Sequence, residues 1–145
     1  ALEHVCAMLS RMIVKDGEGA TKLIEITVEG ASSEEDALKA ASAIAKSPLV
    51  KTAMFGGDAN WGRILTAVGY SGAQFDPAKV SISLGKLKVF KNGSAVPFPE
   101  DEAKKLLSGD EIKIYVNLNN GNFSERMLTC DLSCDYVKIN ASYRS

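Results

Sequence analysis

Residues 15–22 read KDGEGATK, and eight positions there hold two glycines, two carboxylates, two lysines and a threonine. Gly17 and Gly19 permit positive φ and close backbone approach. A glycine-rich turn can cradle phosphate through its N–H groups. This one lacks the spacing for it. The dinucleotide pattern GxGxxG would need glycine at position 22, which is Lys22, and no Walker pattern is present. Asp16 and Glu18 would also repel a phosphate. Two readings remain at this point. Residues 15–22 are a solvated connector, or Glu18, held between glycines, presents its carboxylate to a cationic group of a substrate through charge-assisted hydrogen bonds.

Other reactive side chains are sparse. The cysteines are Cys6, Cys130 and Cys134, and the single histidine is His4. An odd number of cysteines at irregular spacing argues against a secreted disulfide framework and for a reducing compartment. One CxxxC with no second pair is a weak metal signal, so no metal site is expected. No Ser or Cys has a His-Asp setting that would make it a nucleophile.

These residues need a scaffold. Leu2, Val5, Cys6, Leu9, Met12 and Ile13 recur at helical spacing before the turn, and Ile24, Ile26 and Val28 alternate with polar residues after it. Ser32 and Glu35 form a capping-box pattern for a helix that runs to about Lys46 and stops at Pro48. Residues 49–55 suit either a short buried strand or a turn of helix. Asp58 is the expected N-cap of a helix with Trp61, Ile64, Leu65 and Val68 on one face, ended by Gly69 or Gly72. Trp61 reads as a core or interface aromatic. Val80, Ile82 and Leu84 alternate as a strand, and Leu87 and Val89 continue toward an Asn92-Gly93 hairpin signal. Pro99 and the acidic run 100–102 open a helix with Lys104 and Lys105 in its last turns. Ile112, Ile114, Val116 and Leu118 mark a strand, and residues 123–132 and 135–140 read as two more. The order predicts an α+β fold with a mixed, mostly antiparallel sheet packed with helices. The expected division is an N-terminal αβαα lobe over residues 1–75 and a C-terminal α+β lobe over 76–145.

Bulk properties exclude several function classes. A chain of 145 residues is one domain or two small lobes, and buries roughly 68% of its unfolded surface. Its 17 basic and 18 acidic residues are interspersed, giving a net charge of −1, so nucleic acid is not an expected partner. No apolar run is long enough for a membrane-spanning helix. The opening residues read as an amphipathic helix rather than a secretory signal, and a cytoplasmic location is expected. The helical pattern begins at Ala1 without a cap, which reads as a piece of a longer protein.

Three segments in order, MIVKDGEGATKLIEITVEGA, SPLVKTAMFGGDANWGRILTAVGYSG and DYVKINASYRS, resemble the β chain of glutamate N-acetyltransferase/ornithine acetyltransferase. The resemblance covers essentially the whole chain. It implies the self-processing ornithine acetyltransferase fold of arginine biosynthesis. In that family a precursor cleaves itself before a threonine. The new N-terminal threonine takes an acetyl group from N-acetylornithine and hands it to glutamate. The exchange needs no cofactor, and bifunctional members also accept acetyl-CoA. The resemblance implies an α chain and the remainder of the β chain as partners in an α2β2 heterotetramer. It places the nucleophile upstream of Ala1, so no catalytic residue is expected among these 145. The substrate-binding residues it carries over are Glu18, Asn140 and Ser145. A β-grasp-like interaction module, or another self-processing amidohydrolase or acyltransferase, are the rival readings.

Overall fold

The structure is a computed structural model that describes residues 2–143. Its elements in chain order are α1 (Leu2–Lys15), β1 (Leu23–Ala31), α2 (Glu34–Lys46), α3 (Pro48–Gly56), α4 (Trp61–Tyr70), β2 (Ser81–Leu84), β3 (Leu87–Lys91), β4 (Ser94–Ala95), α5 (Glu100–Leu107), β5 (Glu111–Asn117), β6 (Phe123–Cys130) and α6 (Cys134–Ser142), with a 3-10 turn at Pro77–Lys79.

The strands form one sheet in the order β4-β3-β2-β5-β1-β6. β1 pairs in parallel with β5 and antiparallel with β6, and the remaining pairs are antiparallel. The sheet is therefore mixed and mostly antiparallel. Strands from both sides of residue 75 contribute to it, because β1 lies between β5 and β6. The period-2 pattern sets its register: Ile24, Ile26 and Val28 sit opposite Ile112, Ile114 and Val116. All six are buried on one face with Ile82 and Leu84, beneath α2 and α4. Each such side chain contributes about 1.5–3 kcal/mol of transfer free energy. The opposite face carries Glu25, Thr27, Tyr115 and Asn117, which are half-buried.

α1 follows the helical spacing, yet none of its residues is buried. Leu2, Leu9, Met12 and Ile13 are all more than half exposed. Charge ties the helix to the sheet instead. Arg11 bridges Glu25 at 2.9 Å and Glu111 at 2.5 Å, and Lys15 reaches Glu111 at 2.8 Å. Hydrogen bonds from Lys15 and then Arg11 hold the Glu111 carboxyl below its usual range.

Several local expectations shift. The N-cap of α2 is Ser33, not Ser32, and its partner is Asp36, not Glu35. Ser33 Oγ accepts from Asp36 N at 3.1 Å, while the Asp36 carboxylate accepts from Ser32 Oγ, Ser33 Oγ and Gln74 N at 2.6–3.0 Å. The longer-range bond to Gln74 favours Asp36 over Glu35. Residues 49–55 are helical, because Ser47 caps Val50 N and Pro48 occupies the first turn. Asn60, not Asp58, caps α4, accepting from Arg63 N at 3.1 Å. Asp58 supports that cap by accepting from Asn60 Nδ2 at 3.0 Å. α4 ends at Tyr70, between the two expected glycines. Trp61 stacks on Phe90 at 4.7 Å and packs against the core. Asn92 and Gly93 both take positive φ in the β3–β4 turn, as that hairpin signal requires. Residues 135–140 are not a strand but part of α6.

Hydrogen bonds from Ser32, then Gln74 and Ser33, hold the Asp36 carboxyl below its ordinary value. A depressed carboxyl stabilises the fold fully above its unfolded pKa of about 3.9, and that contribution is lost as pH falls through the folded value. Denaturant melts between pH 6 and pH 2.5 should therefore show an acid-limb loss that Asp36→Asn reduces. An unchanged acid limb in the variant would refute this.

Candidate functional site

The turn after α1 is compact. Gly17 N donates to Val14 O at 3.2 Å, and Ala20 N donates to Gly17 O at 2.9 Å. Gly19 has φ +69°, and a Cβ there would lie 2.6 Å from Tyr136 N. No side chain fits, so the loop backbone lies directly on the first turn of α6. Ser133 Oγ donates to Gly19 O at 2.5 Å and accepts from Tyr136 N at 3.4 Å. One hydroxyl thus caps α6 and holds the loop.

Two residues on, a second contact fixes the loop's exit. Asp131 is 2% exposed. Its Oδ1 accepts from Thr21 N and Lys22 N, both at 2.8 Å, and its Oδ2 accepts from Thr21 Oγ1 at 2.5 Å. Asp131 N donates back to Lys22 O at 3.2 Å. A buried carboxylate is costly unless hydrogen-bonded, and these contacts satisfy it. The Lys22 ammonium donates to Met54 O at 2.8 Å and Leu107 O at 2.7 Å, near the C-terminal ends of α3 and α5. A cation there meets the negative end of each helix dipole.

This framework explains α6. Tyr136, Val137 and Ile139 have strand propensity, which produced the strand reading. The Asp131 and Ser133 contacts turn the chain away from the sheet after Cys130. With no neighbouring strand to pair, the backbone satisfies itself as a helix, begun by the Ser133 cap with Asp135 in its first turn.

The helix brings residue 140 to the loop. Asn140 Nδ2 donates to Glu18 Oε2 at 3.2 Å and to Tyr136 O at 2.9 Å. The two positions are 122 residues apart in sequence, and both side chains are exposed. Ser145 lies outside the described residues. Asp16, the other carboxylate of the loop, is exposed. Among the described residues no group of three His, Cys, Asp or Glu could hold a metal ion. No described helix is long and apolar enough to cross a membrane. Sequence reasoning missed Thr21, Lys22, Asp131 and Ser133. The one available signal was Ser133 three residues before Tyr136, an N-cap spacing that the strand reading obscured.

An exposed carboxylate beside an amide, on a braced loop and a capped helix, can grip a small zwitterion. The fold is similar to a crystal structure of the arginine biosynthesis bifunctional protein argJ from Bacillus halodurans, with TM-score 0.95 and 45% identity over 98% of this chain and 67% of that one. That likeness defines the class, an arginine-biosynthesis enzyme fold. The chain belongs to the ArgJ family, whose model matches residues 1–145. It is 55% identical to the arginine biosynthesis bifunctional protein ArgJ 1 of Clostridium acetobutylicum, over 100% of this chain and 36% of that protein. It is 51% identical to the glutamate N-acetyltransferase of Methanocaldococcus jannaschii, over 99% of this chain and 38% of that protein. The chain thus spans little more than a third of the length of these curated relatives.

Gly19→Ala combines an unfavourable φ with a clash against α6. It should cost about 1–3 kcal/mol of stability and speed amide hydrogen exchange in the first turns of α6. Wild-type exchange there, with an unchanged melting temperature, would show that the contact is dispensable.

Proposed function

We propose that this chain is the C-terminal part of the β chain of a glutamate N-acetyltransferase/ornithine acetyltransferase. The whole enzyme moves an acetyl group from N-acetylornithine to glutamate, with acetyl-CoA as a further donor in bifunctional members. The observation that carries the reading is the Glu18–Asn140 hydrogen bond. Two residues singled out by family resemblance, distant in sequence, meet on one surface. In this reading Glu18 holds the substrate ammonium, and Asn140 and Ser145 hold its carboxylate. Substrate binding then exchanges the Glu18–Asn140 bond for contacts to the substrate. Acyl transfer between amino acids gains from such a grip, which leaves the acyl group at the nucleophile.

The nucleophile in this reading is a threonine outside these residues, freed by self-cleavage of a precursor. The exchange uses no cofactor. The partners are the α chain and the rest of the β chain, in a cytoplasmic α2β2 assembly. The exposed apolar side chains Leu2, Leu9, Met12 and Ile13 of α1 suit burial against that remainder.

Residues 1–145 alone should not transfer acetyl groups from N-acetylornithine, and enzyme-like turnover by them would refute the division of labour. In the full-length protein, Glu18→Gln keeps size and hydrogen-bonding capacity but removes charge. It should lower kcat/KM by more than about tenfold, with self-cleavage intact. Asp16→Asn should be milder. Steady-state kinetics of both variants check this, and the opposite ranking would identify the wrong carboxylate. Deletion of residues 143–145 should raise KM or abolish turnover in a protein that still folds and cleaves itself. Wild-type kinetics after the deletion would exclude the chain end from the site.

A further inference from the structure

We propose that Ser133 is a positioning residue for the amino-acid substrate, acting through the geometry of the Glu18–Asn140 pair and supported by Asp131. The inference rests on the reading of Glu18 and Asn140 as substrate contacts. Neither Ser133 nor Asp131 hydrogen-bonds to that pair among the described residues, and both are almost fully buried. Glu18 stands on the loop and Asn140 on α6, so their separation depends on how the loop meets the helix. Among the described hydrogen bonds, the Ser133 hydroxyl is the one side-chain group besides the Asn140 amide itself that bonds both: it donates to Gly19 O and accepts from Tyr136 N. Gly19 O belongs to the residue next to Glu18. Tyr136 O accepts from Asn140 Nδ2, so the same helical turn orients the amide. Beside the direct Glu18–Asn140 bond, a braced path between the two residues thus runs through one hydroxyl and one turn of helix. Asp131 fixes the other end of the loop by holding Thr21 and Lys22.

A ligand gripped at two points is sensitive to their separation. A misplacement of about 1 Å costs up to two orders of magnitude in rate. Loss of the Ser133 bond frees the loop to shift relative to α6. The substrate then pays for ordering the pair, which appears mainly in KM.

The test uses the full-length protein, with kcat, KM for N-acetylornithine and glutamate, and melting temperature measured for each variant. Ser133→Ala should raise KM roughly tenfold with kcat changed less than about threefold. Ser133→Thr keeps a hydroxyl that can cap and donate, and should bring KM back to within about threefold of wild type. Ser47→Ala removes a comparable cap, that of α3, whose hydroxyl bonds Val50 N and no residue of the loop. It should lower the melting temperature without raising KM. Wild-type KM in Ser133→Ala, no rescue by Ser133→Thr, or an equal rise in KM for Ser47→Ala would each overturn the proposal. If Ser133→Ala does not fold, Thr21→Val loosens the loop from the Asp131 side, and an unchanged KM in that variant overturns it. Glu18→Gln separates the two levels. If it impairs binding while Ser133→Ala does not, the site reading stands and the positioning role falls. If Glu18→Gln is silent, both fall.

Discussion

The carboxylate of Asp131 has almost no access to water and must find its hydrogen bonds within the protein. It finds them on the backbone of Thr21 and Lys22 and on the Thr21 hydroxyl. That requirement joins the end of β6 to the start of β1. β1 enters between β5 and β6, where Ile24, Ile26 and Val28 meet the apolar residues of β5. A one-residue slip would turn Glu25 and Thr27 into the core. Asp131 fixes the entry point, and the alternating pattern rejects other registers.

The same junction controls what surrounds the sheet. Lys22 extends its ammonium to carbonyls near the ends of α3 and α5, two helices distant in sequence. The residue that leads into β1 therefore also satisfies helix termini that would otherwise need water or other donors. On the other side, Ser133 ends the excursion of β6 and begins α6. The loop at residues 16–20 is exposed at Glu18 yet braced at Gly19 and Thr21. Such an arrangement puts a charged side chain in solvent on a braced backbone.

α1 differs from α2–α5, each of which buries side chains. Its apolar stripe contributes nothing to the core, and ion pairs through Arg11 and Lys15 tie it to the sheet. The pairs to Glu111 are exposed and contribute about 1 kcal/mol or less each, whereas the Arg11–Glu25 pair is half-buried. The helix is thus held by weak, salt-sensitive contacts, while its apolar side chains face outward. The fold's stability rests on the layer between the sheet and α2 and α4.

The sequence by itself determined the α+β class, the mixed sheet, most of the strands and the Asn92-Gly93 turn. Each of these follows from local periodicity or from a backbone conformation that few residue types tolerate. Through resemblance it also pointed to the family and to Glu18 and Asn140 as candidates. Only the tertiary structure decided which of Ser32 and Ser33 caps α2, because Asp36 is chosen by a bond from Gln74, 38 residues away. Only it decided that residues 134–142 are helical. Their β-branched residues favour a strand locally, but the chain has been turned away from every strand that could pair with them. The contact between Glu18 and Asn140 was equally hidden. It joins two segments that are also held by Asp131 and Ser133, whose polar side chains look like surface residues until burial gives them partners. Local propensity is written along the chain, whereas the cost of leaving a buried polar group unsatisfied arises only once distant segments have met.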